Sequence, residues 1–126
     1  MPMVLVVDDN LDICRAMGRL IRRAGFDAEW VTDGYEAVDR LRVRESLPDL
    51  VILDEMMPGL DGLGVLREIR QDQRTAHLPV IMFTAMYDQG FRDRALAAGA
   101  NDVWVKGSFD LDQLPAELTK HVNTKN

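Results

Sequence analysis

Cysteine is scarce in this chain. Cys14 stands alone, so an internal disulfide framework is excluded. It lies in a helical apolar pattern, which makes it a small core or boundary residue. A nucleophilic thiol would need a histidine partner, and neither His77 nor His121 stands in a motif. Long apolar runs are also missing: none approaches the roughly 18–20 residues that span a bilayer. The opening Met1-Pro2-Met3-Val4 has no basic region ahead of its apolar run. It therefore reads as the lead-in to a strand, not a secretion signal, and the cytoplasm is the default expectation. Positive charge is in deficit as well. The net charge is −6 and the pI about 4.8, a poor match for direct binding to nucleic acid or anionic lipid. Basic residues cluster within 15–23 and 40–44, at helical spacing among apolar residues, as on a solvated helix face. There is no internal repeat, low-complexity stretch or obvious linker.

What is present suits one ordinary globular domain over 1–126, with its core at about residues 3–123. Apolar residues make up 47% and charged residues 29%. At this length one core buries roughly 65–70% of the unfolded surface without help from a metal or crosslink. Short β-branched apolar runs at 4–7, 27–31, 50–54, 79–84 and 102–106 read as strands. Several are almost continuously apolar, as strands covered on both faces should be.

Helical patterns separate these runs. Asn10 or Asp9 can cap a helix reaching Ala24, with Ile13, Met17, Leu20, Ile21 and Ala24 on one stripe and Gly25 as its stop. Further helices are expected at 35–45 (before Pro48), 63–71 and 89–98, the last ending at Gly99. A fifth starts near Asp112, with Pro115 in its first turn and Leu114, Leu118 and Val122 facing inward. Five βα units in sequence predict an α/β, doubly wound, five-stranded parallel sheet. The expected order is the flavodoxin-like 2-1-3-4-5 of a (βα)5 domain. In such sheets ligands bind beyond the carboxyl ends of the strands, at the switch between the first and third.

Four predicted strands end in polar residues: Asp8-Asp9, Asp54, Thr84 and Lys106. Each alone could be a cap, a turn or a solvated strand end. Their arrival on one rim points to a site. Crowded carboxylates repel one another, and a divalent cation and the Lys106 ammonium are the two available remedies. Mg²⁺ prefers oxygen ligands, takes one or two carboxylates plus a phosphate oxygen, and keeps several waters. A carboxylate can also attack phosphorus to form an acyl phosphate. Phosphoryl transfer depends on in-line positioning and on neutralising the equatorial oxygens. The set provides for both: Asp54 attacks, the metal takes one oxygen, Lys106 another, and Thr84 with backbone N–H groups the third.

These residues stand within blocks that resemble the response-regulator receiver domain, the CheY-like fold, over essentially the whole chain. The blocks are Val4-Leu5-Val6-Val7-Asp8-Asp9-Asn10, Asp49-Leu50-Val51-Ile52-Leu53-Asp54-Glu55-Met56-Met57-Pro58-Gly59-Leu60-Asp61-Gly62, Pro79-Val80-Ile81-Met82-Phe83-Thr84-Ala85, Ala97-Ala98-Gly99-Ala100-Asn101-Asp102, and Lys106. The resemblance implies that Asp54 is the phospho-acceptor. It implies that Asp8 and Asp9 help bind Mg²⁺, with the Met56 backbone carbonyl as a further ligand. Thr84 resembles the switch hydroxyl and Lys106 the lysine that contacts the phosphoryl group. Ala85 is small, as the family prefers beside the phosphate, and Pro58 and Gly62 shape the loop after the acceptor.

The sequence departs from the pattern in three places. Gly107 follows Lys106, where the family often has proline after a cis bond. Val103 occupies the position of the usual switch aromatic, with Trp104 beside it; Trp104 either replaces that aromatic or simply packs. Met56 and Met86 stand at the variable positions where other members carry polar groups that assist an attacking water. Two methionines there offer such a water no hydrogen bond, which predicts a long-lived phosphorylated state.

The function expected is a phosphorylation-dependent switch. It would take a phosphoryl group from a histidine kinase or histidine phosphotransfer protein with Mg²⁺, and lose it by slow autodephosphorylation. The family places the output on a stretch that starts near Asp88 and ends near Val122, holding Phe91, Arg92, Trp104 and Phe109. The downstream partner is expected to be a protein, not nucleic acid or membrane, and the chain a monomer or a phosphorylation-linked dimer. Two alternatives differ in class. A Mg²⁺-dependent aspartyl-phosphate phosphatase would usually carry a second aspartate where Met56 stands, along with a cap domain. A binding module independent of phosphorylation would not need the complete acid, threonine and lysine set.

Overall fold

The computed structural model describes residues 1–85 and 88–123. Five strands, β1 (Met3–Val7), β2 (Asp27–Val31), β3 (Leu50–Leu53), β4 (Val80–Thr84) and β5 (Asp102–Val105), alternate with helices. These are α1 (Leu11–Arg23), α2 (Gly34–Leu41), α3 (Gly62–Gln71), α4 (Gln89–Ala97) and α5 (Leu114–Asn123). All strand pairs are parallel, in the order β2-β1-β3-β4-β5 that the sequence predicts.

The strand sequences explain their places. β3 and β4 are buried at every position, as central strands between two helical layers must be. β2 lies at an edge and exposes Asp27 and Glu29. Side chains alternate across each strand, so the core divides into two layers. Leu5, Val7, Val51, Leu53, Val80, Met82 and Val103 pack with residues of α2, α3 and α4. Val4, Val6, Leu50, Ile52, Ile81, Phe83 and Trp104 pack with residues of α1 and α5.

Helix ends follow local chemistry. The Asn10 side chain caps α1 by accepting from the N–H groups of Asp12 and Ile13, at 3.0 and 3.2 Å. Gly25 follows the helix at φ 94°. The second helix is shorter than the expected 35–45. Leu41 is its last core residue; Arg42 and Val43 are exposed, and Val43 is extended ahead of a 3₁₀ turn over Arg44–Ser46. Val43 packs against nothing there, so no burial extends the helix past Leu41. A 3₁₀ turn over Leu111–Gln113 leads into α5. Pro115 then falls in its first turn, Leu114 and Leu118 are buried, and Val122 is half-buried.

Candidate functional site

The carboxyl ends of β1, β3, β4 and β5 bring the predicted residues to one rim. Asp54 follows β3, and its N–H still donates to Val7 O at 2.9 Å. Lys106 follows β5, and its N–H donates to Thr84 O at 2.8 Å. Backbone ladders therefore fix where these side chains start. Asp8 and Asp54 are buried, at 2% and 4% exposure, while Asp9 is exposed. Each of the three can place one carboxylate oxygen within 4.8 Å of the others'.

Lys106 ties this acidic set together. Its Nζ lies 2.7 Å from Asp8 Oδ2 and 3.4 Å from Asp54 Oδ2. The ammonium also stands over the Phe83 ring, 5.7 Å from its centre. The other Asp8 oxygen accepts from the Asn10 N–H at 2.9 Å. Burial pushes the Asp54 carboxyl above its ordinary pKa, and neighbouring Asp8 adds to this. Lys106 and the Met56 N–H pull the other way. Lys106 thus offsets only part of what burial and Asp8 together impose on Asp54. Oxygen donors in that state suit a hard divalent cation, so the residues fit Mg²⁺. Thr84 is fully buried at the end of β4.

The loop after Asp54 is held by a Glu55 contact that the sequence did not reveal and by Gly62, which the resemblance implies. Glu55 is buried and accepts from the Leu63 N–H at 2.7 Å, tying the loop to the first turn of α3. Burial raises its carboxyl to about 7. The only sequence signal was an acid following directly on a core strand. Gly62 opens α3 so close to the loop that a Cβ there would strike the Asp54 carbonyl oxygen and lie 2.8 Å from Glu55 Cα.

The three departures resolve unequally. The Lys106–Gly107 bond is trans, and Gly107 has φ 85°, a left-handed conformation that glycine adopts without strain. Trp104 is buried on the α1 and α5 side of the sheet, whereas Val103 faces the α4 side. Adjacent strand residues point to opposite faces, so Trp104 packs and does not occupy the place of the usual switch aromatic. Met56 is 60% exposed at the rim. Met86 lies outside the described residues. Of the residues singled out in the expected output stretch, Phe91 and Trp104 are buried, Phe109 is half-buried and Arg92 is exposed.

Comparison with known proteins adds three kinds of likeness. Residues 4–119 match the response regulator receiver domain. The phosphate regulon transcriptional regulatory protein PhoB of Rhizobium meliloti is 39% identical over 118 residues, covering 94% of this chain and 51% of that protein. Response regulator PleD of Caulobacter vibrioides is 35% identical over 108 residues, covering 86% of this chain and 23% of that protein. The chain therefore spans about half the length of the first relative and less of the second. The receiver domain of Francisella response regulator 1452 superposes with a TM-score of 0.89 at 27% identity, covering 100% of both chains. The receiver domain of sensor histidine kinase PA1611 from Pseudomonas aeruginosa has a TM-score of 0.84 at 30% identity, covering 97% of this chain and 98% of that one. That structure holds a magnesium ion coordinated in its active site cleft.

Proposed function

The chain belongs to the response regulator receiver domain family, and we propose that it signals by accepting a phosphoryl group on Asp54. The observation that carries this reading is the meeting of Asp8, Asp9 and Asp54 with Lys106 at one sheet edge. The donor is a phosphohistidine of a histidine kinase or histidine phosphotransfer protein. An Asp54 carboxylate oxygen attacks phosphorus, the P–N bond breaks, and its electron pair returns to the imidazole nitrogen of the donor.

Lys106, already shared between Asp8 and Asp54, reaches one equatorial oxygen of the transferring group. The Thr84 hydroxyl reaches another once the group is in place. Asp8, Asp9, Asp54 and the Met56 carbonyl would hold Mg²⁺, which supplies charge neutralisation at a phosphoryl oxygen. Charge arriving beneath β4 and β5 then biases a two-state equilibrium that a protein partner reads on α4, β5 and α5. In this reading the chain is not a turnover enzyme; its chemistry ends with transfer to itself and slow hydrolysis. No helix among the described residues is long and apolar enough to cross a membrane, and we place the protein in the cytoplasm.

The test is a panel of purified, labelled histidine kinases incubated with the chain and Mg²⁺. Transfer to the wild type and none to Asp54→Asn is expected. Label that survives in Asp54→Asn would overturn the assignment. Sustained turnover of a chromogenic phosphate ester would instead favour a phosphatase.

A further inference from the structure

A second group of metal-ligating side chains lies away from the acidic rim, where α5 covers β5. It comprises Asp102 from the start of β5 and Glu117 with His121 from α5. Glu117 and His121 are four residues apart, so they project from one face of the helix. His121 is 5% exposed, and the side chains of Asp102 and Glu117 are 24% and 26% exposed. The imidazole is thus held inside, and water can still reach both carboxylates.

The spacing fits a metal centre. His121 Nε2 stands 3.6 Å from Asp102 Oδ2 and 3.6 Å from Glu117 Oε1. Both separations exceed a good hydrogen bond. With zinc–nitrogen and zinc–oxygen bonds of about 2.0–2.2 Å, two ligands of a tetrahedral ion lie about 3.4 Å apart. One atom from each of the three residues falls within 4.8 Å of the others, so a small side-chain adjustment completes the set. Asp102 is already oriented: its Oδ2 accepts from Trp104 Nε1–H at 3.2 Å and its Oδ1 from the Val103 N–H at 2.8 Å. Such outer hydrogen bonds commonly fix metal-ligating carboxylates. The Arg92 guanidinium, 3.8 Å from Asp102 Oδ1, opposes a cation here and limits affinity.

We propose that His121, Asp102 and Glu117 form a site for a divalent transition-metal ion of the zinc type, joining α5 to β5. One imidazole and two carboxylates, with a water to complete four ligands, match such an ion better than Mg²⁺. The proposal is independent of the chemistry assigned to Asp54. An ion bound here would clamp α5 onto β5 and stabilise the folded chain in proportion to its occupancy.

The test is calorimetric titration of the full chain with ZnCl₂ at about pH 8, because imidazole binds metal only when neutral. Excess MgCl₂ occupies the acidic rim. One Zn²⁺ per chain is expected. Asp54→Asn and His77→Gln should keep it. His121→Ala should abolish it, and Glu117→Gln, a milder change on an already formed helix, should weaken it at least tenfold. Far-ultraviolet circular dichroism establishes that each variant is folded. Absence of binding in the wild type, or binding unchanged in both His121→Ala and Glu117→Gln, overturns the proposal. Loss confined to Asp54→Asn would assign the zinc to the acidic rim and overturn it equally.

Discussion

Trp104 stacks on Phe109 with ring centres 4.2 Å apart and planes 17° from parallel. Phe83 meets both rings edge-on, at 6.4 and 6.5 Å. The indole is thus a packing element on the α1 and α5 side of the sheet. Trp104→Ala should lower the unfolding free energy by about 3–5 kcal/mol, the usual range for a buried aromatic. Urea denaturation measures this. A loss below about 1 kcal/mol would mean that the indole is not part of the core.

Asp54 is a buried carboxylate beside Asp8, with Lys106 offsetting only part of what burial and Asp8 together impose. Replacing it by a neutral isostere should relieve strain. Asp54→Asn is expected to stabilise the metal-free protein by on the order of 1 kcal/mol. Mg²⁺ should raise the melting temperature of the wild type and have much less effect on the variant. Thermal unfolding with and without MgCl₂ checks both. An Asp54→Asn protein less stable than wild type would contradict the electrostatic account.

Met56 is largely exposed at the rim, where an apolar side chain offers no hydrogen bond to an incoming water. Met56→Asn should speed decay of the acyl phosphate by about tenfold, the effect of one added hydrogen bond of about 1.4 kcal/mol to the attacking water in the transition state. The decay of labelled protein after removal of the donor gives the rate. Met86→Glu is the companion variant. An unchanged lifetime in both would leave the methionines as simple cover for the loop.

Cys14 is fully buried, and its Sγ–H donates to Asp8 O at 3.2 Å. Burial, with Asp8 adding to it, pushes the thiol up to about 11 from 9.0. The folded state therefore keeps a proton that the unfolded state gives up. Its contribution to stability is complete below about pH 9 and lost as pH rises toward 11. Wild type should lose stability across that window more steeply than Cys14→Ala. A thiol reagent at about pH 8 should label the native protein far more slowly than the urea-unfolded chain.

The sheet was legible because β1, β3 and β4 are apolar almost throughout and the segments between them carry helical spacing. The rim was legible because Asp8, Asp54, Thr84 and Lys106 each close an apolar run, and a parallel sheet gathers such endings. Other features depend on tertiary contacts that sequence spacing does not encode. Val43 continues an acceptable helical pattern, yet it has nothing to pack against, so α2 stops at Leu41. Which face Trp104 takes depends on a register of single residues, since Met82 pairs with Val103 and Phe83 with Trp104. Glu55 gained its role only when α3 brought the Leu63 N–H to it. His121 stood in no motif because its neighbours include Asp102, which comes from another element.

The link between Lys106 and Asp8 also has a consequence in time. Asp8 and Asp54 leave the ribosome early, and the lysine that offsets them follows about fifty residues after Asp54. At about 5–20 residues per second, the growing chain lacks that cation for roughly 3–10 s. During this interval β1 and β3 carry mutually repelling acids at their adjoining ends. The arrival of β5 therefore closes the sheet and quenches that repulsion in one step. A nascent chain halted before residue 106 should form this half of the sheet poorly, and a divalent cation at the rim should stand in for the missing lysine.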